Sequence, residues 1–317
     1  MSPIERCSRL AFDFRKFQGE KTLSFLSSFS TSRSPPPIVI GNTESAGRGV
    51  FATRRIYAGE LIHTAQPIVS HPSLNSLYDV CDFCLRKLSK QNADSESLRF
   101  CSNQCEKQSY NFYEVEKKAD WSRFHEYCRM QGLKYPLLVK RLASKVISGA
   151  FSPQVLDILQ PEALSVQKIS LMKRELCLLR STFEDINIER ELLSFLTEEW
   201  YTGVLSRIRI NAFRIEYPGG SYDDLLSSAA ASVEAEAAVG NAVYMLLSLY
   251  NHDCDPNVNI LWVENVDAKL KALREIQAGE ELRICYMDAS MDYEARQTFL
   301  LEGFGFRCKC LRCMSKD

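Results

Sequence analysis

The sequence lacks a strong net charge. Its 317 residues carry 39 Lys and Arg against 40 Asp and Glu, which gives a formal net charge of -1. No overall basic field therefore directs the chain to nucleic acid, and direct nucleic-acid binding is not expected. A basic protein tail is not excluded as a partner, because a local acidic groove needs only a few carboxylates.

Long apolar runs are also missing. No run approaches the roughly 20 residues of a membrane-spanning helix, so no membrane partner is expected. A secretory signal with a clear apolar core and cleavage site is not present either. With 45% hydrophobic and 25% charged residues, the composition is that of a globular protein with one large or two modest domains.

The N-terminal stretch of residues 1–37 admits two interpretations. It is rich in arginine and serine and ends in three prolines. An organelle transit peptide would have this composition, but Glu5, Asp13 and Glu20 count against one because such peptides are poor in acids. The alternative is a disordered tail. Both interpretations stay open, and the globular part is predicted to begin near Ile38.

Clustered cysteine is what the sequence does contain. There are 12 cysteines and 4 histidines. Seven cysteines lie in close groups, namely Cys81 with Cys84, Cys101 with Cys105, and Cys308 with Cys310 and Cys313. Neighbouring thiolates suit one tetrahedral metal ion better than they suit disulfides. The pattern therefore indicates zinc and a reducing compartment.

Two similar segments lie near the two ends of the globular part. Residues 55–62 read RIYAGELI and residues 274–282 read REIQAGEEL. In each, Ala-Gly predicts a tight turn with glycine at positive φ, and the flanking apolar runs predict paired strands. A glycine turn at Gly47 also predicts a short strand after it. We predict two hairpins at the ends of one β-rich domain, not a tandem repeat.

Two insertions are predicted between these segments. Residues 78–130 contain the first cysteine groups and a helix predicted from Cys105 to about Lys118. Residues 135–203 are helical by pattern, and their apolar stripes predict core packing rather than a cofactor site. The stripes comprise Leu137, Leu138, Val139, Leu142, Val146, Leu192, Leu193, Phe195, Leu196 and Trp200. Residues 219–238 predict a mobile loop that leads into a helix ending near Leu249.

The most informative segment is Asn251-His252-Asp253-Cys254-Asp255-Pro256-Asn257, which follows an apolar run. Downstream, residues 281–286 read ELRICY and the chain closes on C-x-C-x-x-C. Taken by itself, the first segment predicts a turn, and Tyr286 taken by itself predicts a core residue. Together, over about residues 38–317, they resemble the SET-domain protein lysine methyltransferases. The first cysteine groups resemble half of a MYND zinc finger, as in SMYD-like and plant Trithorax-related enzymes with a split SET domain.

This resemblance implies a mainly β fold with helical insertions, of the α+β class. It would consist of small β-clip-like sheets, a threaded cofactor segment and a C-terminal zinc knot. The expected divisions are a tail at 1–37, a SET domain at 38–286 and a post-SET zinc region at 287–317. The SET domain would be interrupted by a partial MYND-type insertion at 78–130 and a helical insertion at 135–203.

The function implied is methylation of the side-chain amine of a protein lysine, such as a histone lysine, with S-adenosylmethionine as methyl donor. Tyr286 would be catalytic, because its hydroxyl can orient the methyl group by weak CH···O contacts and exclude water. Desolvation would lower the pKa of the target lysine. The implied cofactor-binding residues are Arg48, Gly49, Asn211, Ser248, Asn251, His252, Tyr286 and Phe306. Phe304 would lie at the rim of the lysine channel.

Two structural zinc sites are expected. The spacing of Cys81, Cys84, Cys101 and Cys105 predicts one of them. The resemblance implies that Cys254, Cys308, Cys310 and Cys313 form the other, with the C-terminus folded back over the active site. His125 and Cys128 would be a remnant of the second half of the MYND finger. We predict His125 to be a satisfied surface histidine and not a ligand.

An alternative function is a catalytically weak SET/MYND zinc module that acts as a chromatin or protein-interaction scaffold. The incomplete MYND finger and the missing helical C-terminal domain of SMYD-type enzymes favour it, whereas the complete set of Asn251, His252, Tyr286 and Phe306 opposes it. A thiolate redox protein is disfavoured because every C-x-x-C pairs with another thiolate group. A monomer in the nucleus is expected; the cytoplasm, or a mitochondrion or plastid if residues 1–37 are a transit peptide, are the alternatives.

Overall fold

The computed structural model describes residues 35–88, 99–217 and 238–317. Residues 1–34 of the predicted tail and 219–237 of the predicted loop lie outside these ranges. None of the helices in the described ranges combines the length and apolar character that a membrane crossing requires.

Short strands make up the part of the fold that surrounds the motif segments. In chain order they are β1 (Ile38–Asn42), β2 (Arg48–Ala52), β3 (Leu61–Ala65), β4 (Val69–Pro72), β5 (Ala212–Ile215), β6 (Gly240–Val243), β7 (Asn251–His252), β8 (Val258–Leu261), β9 (Ala268–Ala272) and β10 (Glu281–Ile284). They form three small sheets with strand orders β1-β2-β10-β7, β3-β9-β8 and β4-β6-β5. Only β7 and β10 pair in parallel.

Most of the helices lie between β4 and β5. They are α1 (Asn103–Glu116), α2 (Ser122–Met130), α3 (Tyr135–Ile147), α4 (Val166–Glu184) and α5 (Glu198–Asn211), followed near the C-terminus by α6 (Tyr293–Phe304) and α7 (Leu311–Met314). The fold is therefore of the α+β class, with small sheets and helical insertions, as the sequence predicts. The exact boundaries of the insertions and of the post-SET region stay predictions.

The two Ala-Gly segments do not form separate hairpins, so that prediction is wrong. They pair with each other: β2 lies antiparallel to β10, β3 lies antiparallel to β9, and Ile56 bridges Ile276 between them. Gly59 and Gly279 do have the expected positive φ, at 78° and 82°. Each glycine donates its amide to the strand that leads into the other turn, Gly59 to Ala272 and Gly279 to Ala52.

The side chains repeat this two-fold arrangement. Glu60 accepts the amide of Tyr57 within its own turn at 3.0 Å, and Glu280 accepts the amide of Gln277 at 3.1 Å. Each carboxylate also pairs with an arginine six residues upstream, Arg54 or Arg274, at 2.7 Å. Pattern alone could not show this, because a glycine turn flanked by apolar runs is equally compatible with a local hairpin and with a partner far along the chain.

Several helix predictions are confirmed and two are wrong. The helix expected from Cys105 is α1, and Leu137 to Val146 lie in α3. Residues 189–196 instead form successive hydrogen-bonded turns before Thr197, which caps α5 by accepting the amide of Trp200. Leu193 and Leu196 are nevertheless buried core residues, as expected. The helix predicted to end near Leu249 is, in the described residues, strand β6 and a three-residue 3₁₀ turn.

Buried charges join the zinc-type insertion to the helical insertion. Arg141 of α3 is 1% exposed and donates to Glu116 of α1 at 2.7 Å and to Asp82, between Cys81 and Cys84, at 2.8 Å. Burial alone would raise the pKa of Asp82 and Glu116, but the neighbouring cations, Arg141 foremost, lower the pKa of both carboxyl groups. The Arg141 guanidinium also donates to the backbone of Ser70 and Asp82.

Replacing Arg141 with methionine is expected to destabilise the fold by about 3–5 kcal/mol, because two buried carboxylates lose their shared partner. Arg55→Met is the matched control, since its pair with Glu275 lies on the surface, where water and salt screen it, and little change in stability is expected. Urea unfolding of the zinc-loaded proteins measures both changes. Equal midpoints for the two variants would show that the buried pairs do not stabilise the fold.

Candidate functional site

The motif segment at residues 251–257 is fixed against β10 by both of its ends. Asn251 and His252 pair in parallel with Arg283 and Ile284. At the other end, the Asn257 amide donates to the Glu281 carbonyl at 2.8 Å and accepts the Arg283 amide at 2.8 Å. The Asn257 side chain therefore continues the strand pairing that the backbone begins.

Asn251 contacts both Gly49 and Glu281. Its Nδ2 donates to the Arg48 carbonyl at 3.0 Å and to Glu281 Oε1 at 2.7 Å, which uses both amide hydrogens. A Cβ on Gly49 would lie 2.7 Å from Glu281 Oε1 and 3.1 Å from Asn251 Nδ2, so only glycine fits there. Within the described residues Asn251 Oδ1 has no donor, and this oxygen is the acceptor left for a ligand. The Arg48 side chain turns away and donates to the Ile158 carbonyl.

His252 connects Tyr286 to a cysteine. Its Nδ1 accepts the backbone amide of Tyr286 at 3.2 Å, and its Nε2 lies 3.3 Å from Cys254 Sγ. The proton is therefore on Nε2, where it can be donated to a thiolate. Burial lowers the pKa of His252 to about 4. The ring is neutral at physiological pH, and both of its nitrogens are engaged inside the protein.

Tyr286 is surrounded by aromatic rings and fixed by one hydrogen bond. Its hydroxyl donates to the Tyr250 carbonyl at 2.7 Å. The ring centroids of Phe304, His252 and Phe306 lie 4.9, 5.2 and 6.5 Å from its own. Burial, and secondarily the Glu281 carboxylate, raise the pKa of the Tyr286 phenol above its usual value. Tyr286 is therefore a neutral hydroxyl and not a base.

A cavity of about 710 Å³ opens beside Tyr286. Of the predicted site residues, Asn211, Ser248, Tyr286 and Phe304 line it. Arg48, Gly49, Asn251, His252 and Phe306 do not. Of these, His252 and Phe306 pack against the Tyr286 ring, and Phe306 is 6.1 Å from His252 and 36% exposed. The predicted residues thus form two groups, and Tyr286 touches both. Asn211 is buried, with its amide donated to the carbonyls of Gln160 and Arg207.

The C-terminal cysteines meet Cys254 as predicted. The sulfur atoms of Cys254, Cys308, Cys310 and Cys313 all lie within 4.8 Å of one another, and Cys254 is 3.5 Å from Cys313 and 3.9 Å from Cys308. Tetrahedral zinc with bonds of about 2.3 Å places its sulfurs about 3.8 Å apart. None of the described cysteines is in a disulfide. These four residues therefore fit one zinc ion.

Helix α6 supports this cluster with two side chains. Gln297 donates to the Cys308 carbonyl at 2.9 Å and accepts the Cys308 amide at 3.1 Å. Arg296 is fully buried and binds the Met291 and Asp317 carbonyls beside the thiols of Cys313 and Cys254. A zinc ion with four thiolates carries two negative charges, and a buried cation offsets part of that charge.

The first cluster also fits one zinc ion. The sulfurs of Cys81, Cys84, Cys101 and Cys105 lie within 4.8 Å of one another, with Cys101 3.5 Å from Cys84 and 3.6 Å from Cys105. Burial and helix α1 hold this group: Ser102 caps the helix by accepting the Cys105 amide.

His125 is not the satisfied surface histidine that the sequence predicts. Its ring lies 6.4 Å from that of His71, and the Nε2 atoms of both rings are buried without a hydrogen-bond partner. Burial and the nearby Lys140 ammonium lower the pKa of both rings, that of His125 to about 4. No third metal-ligating group joins them in the described part of the chain, and Lys140 supplies a positive charge there. That His125 is not a metal ligand stays a prediction.

Comparison with known proteins decides the family. The family model described as "SET domain" matches residues 47–287. The chain belongs to the SET-domain family. It is 54% identical to "Histone-lysine N-methyltransferase ATXR4" of Arabidopsis thaliana, over 98% of this chain and all of that protein. It is 30% identical to "Histone-lysine N-methyltransferase SMYD3" of Mus musculus, over 87% of this chain and 61% of that protein.

Among solved structures, the SET domain of LSMT bound to lysine and AdoHcy aligns with 91% of this chain and 57% of that one. The sequence identity is 16% and the TM-score is 0.40.

Three residues of this SET domain were missed by the sequence analysis. Tyr250 is fully buried, presents its carbonyl to Tyr286 and bonds His63 Nε2 through its hydroxyl at 2.9 Å. Glu281 belongs to the motif that contains Tyr286, but only the fold shows that its carboxylate accepts a hydrogen bond from the Asn251 amide. For Tyr250 and Arg296 the sequence offers no signal, because one acts through its backbone and the other lies in an ordinary helix.

Purified protein is expected to contain two zinc ions per chain, because two complete four-thiol sets are present and the His71–His125 pair lacks a third ligand. Cys310→Ser should reduce the content to one and weaken the C-terminal site, while Cys128→Ser should leave it at two. Metal analysis by mass spectrometry with protein quantitation measures this. Three zinc ions in the wild type would show that His71 and His125 bind a metal ion despite the positive charge of Lys140 beside them.

Proposed function

We propose that this protein is an S-adenosylmethionine-dependent methyltransferase that modifies the side-chain amine of lysine in a protein. The observation that carries the proposal is the position of Tyr286. It lines the cavity together with Phe304, and its ring also packs against Phe306 and against His252, the residue after Asn251. A methyl transfer needs donor and acceptor to approach from opposite sides along one line, and a shared residue at the junction suits that geometry.

The group around Asn251 is proposed to hold the methyl donor. S-adenosylmethionine, when bound, supplies a methyl group on a positively charged sulfur. Asn251 has only its Oδ1 acceptor free, so it can accept from the ammonium of the amino acid end but cannot donate to the carboxylate. Gly49 has no side chain, so the cofactor can come close to the backbone there, next to Arg48. Phe306 offers an exposed ring on which the adenine of the cofactor can stack.

The cavity on the other side is proposed to admit the lysine. Loss of water around a lysine that enters beside Tyr286 lowers its pKa, so that the neutral nucleophile forms. The Tyr286 hydroxyl donates a hydrogen bond to the Tyr250 carbonyl. This bond fixes the phenol and leaves the lone pairs of its oxygen free to accept CH···O contacts from a methyl group. Ser248 and Asn211 form part of the same wall. Because the Tyr286 phenol is neutral, the residues orient and desolvate rather than remove a proton.

A histone is the substrate that the relatives favour, since the names of ATXR4 and SMYD3 both describe histone-lysine methyltransferases. By the same reasoning we propose a role in chromatin regulation in the nucleus. The complete pocket around Tyr286 favours the enzyme over a scaffold without activity. Incubation of the protein with tritiated S-adenosylmethionine and core histones tests the proposal. If none of the histones becomes labelled, a histone is not the substrate.

Tyr286→Phe should lower the rate of methyl transfer by roughly a hundredfold, because one contact made in the transition state is lost. Affinity for S-adenosylmethionine should stay within a few fold, since the phenol hydroxyl points at the Tyr250 carbonyl and not at Asn251. Rates from single-turnover assays and affinities from calorimetry separate the two effects. Equal turnover of mutant and wild type would remove Tyr286 from the mechanism.

Phe304 and Phe306 both pack against Tyr286, so substituting each in turn compares the proposed lysine cavity with the proposed cofactor site. Phe306→Ala should weaken S-adenosylmethionine binding by roughly tenfold, the scale of one lost aromatic contact. Phe304→Ala should instead raise KM for the protein substrate with little change in cofactor affinity. Calorimetry and steady-state kinetics on both variants measure this. The same effect from both substitutions would show that the two groups of residues are one site.

A further inference from the structure

A smaller apolar cleft adjoins the cavity beside Tyr286. Its volume is about 170 Å³, and it lies where α3, α4 and α5 meet. Tyr135, Lys168 and Arg209 line both the cleft and the cavity, so the two adjoin and share a wall. The remaining walls of the cleft are largely apolar and include Leu133, Pro136, Leu171, Met172 and Leu205.

The charges at the junction are already paired. Glu162 accepts from Arg209 at 2.5 Å and also from Lys168, so the two cations share one carboxylate. Inside the cleft, Glu175 is 4% exposed and accepts the Tyr201 hydroxyl at 2.8 Å. Burial raises the pKa of Glu175, which reduces its charge further. The cleft therefore favours an apolar occupant over a charged one.

We propose that this cleft binds a bulky apolar side chain of the protein substrate, a few residues from the lysine that enters the cavity beside Tyr286. The inference rests on the proposed function and specifies its substrate as an extended segment with an apolar anchor. A residue that flanks a lysine in the cavity can reach the cleft beside Tyr135, Lys168 and Arg209, which line both.

An exposed apolar residue of the cleft agrees with such an occupant. Leu171, which lines the cleft, is 66% exposed. Apolar side chains left in water at the entrance to an apolar cleft gain stability when another apolar group covers them. The volume of the cleft suits one large side chain rather than a helix or a second folded chain.

The test uses the full chain and a peptide library with a fixed central lysine and randomised flanking positions, methylated with tritiated S-adenosylmethionine. Wild type should select leucine, methionine or phenylalanine at one fixed distance from the lysine. Leu171→Asp should remove that preference and raise KM for the selected peptide roughly tenfold with kcat nearly unchanged. Leu192→Asp is the control, because Leu192 is 45% exposed on the same insertion and lines neither cavity.

The outcomes separate this inference from the function on which it rests. If wild type methylates the library without an apolar preference, or if Leu171→Asp keeps the preference, the cleft is not a substrate pocket although the enzyme is active. If wild type transfers no methyl group to any peptide or histone, the proposed function fails and the pocket assignment falls with it. An equal rise in KM for Leu192→Asp would assign the effect to surface charge and overturn the pocket.

Discussion

The four thiols that meet at Cys254 are the constraint on which the candidate site depends. Cys254 follows Asn251 and His252 directly, so whatever holds its sulfur also holds these residues against β10. The other three sulfurs belong to the last residues of the chain and bring Phe304 and Phe306 against Tyr286. His252 contacts the Tyr286 backbone with one nitrogen and Cys254 with the other. Metal binding, chain folding and the position of the phenol are therefore one coupled equilibrium.

The first cysteine cluster acts on the site from a greater distance. Asp82 lies between two of its cysteines and binds Arg141, and Arg141 belongs to α3, whose first residue, Tyr135, lines the proposed substrate cavity. Buried ion pairs of this kind contribute little net free energy, but removing one partner is costly, so they fix one arrangement of the elements they join. The zinc insertion and the substrate wall are thus parts of one rigid assembly, even though neither is in the motif that identifies the family.

Much of this molecule could be predicted from sequence where chemistry is local. Seven cysteines with short spacings, the Asn251–Cys254 motif and Tyr286 led to the right clusters and the right fold class, with Cys254 added to the C-terminal cluster by the family resemblance. The failures share a physical cause, which is partners far along the chain. A turn at Gly59 looks the same whether its strands pair locally or with residues near Gly279. His125 lies beside His71, which is 54 residues earlier in the chain, so the sequence around His125 does not show its buried environment. Tyr250 contacts Tyr286 through its backbone carbonyl, which no side-chain pattern reveals. The roles assigned to the catalytic, cofactor-binding and channel residues stay predictions.

The mutual pairing of the two Ala-Gly segments sets the order in which the chain can fold as it is made. Arg55 and its partner Glu275 are 220 residues apart. Strands β2 and β3 therefore leave the ribosome long before β9 and β10 exist, and they must wait with unpaired edges while both insertions are synthesised. The helical insertion contributes most of one buried cluster, but that cluster also includes Val69 of β4 and Val243 of β6, so its packing too is completed only after β6 is made. The β core closes only after β9 and β10 have been synthesised, so the strand edges that await them are exposed to aggregation throughout that interval.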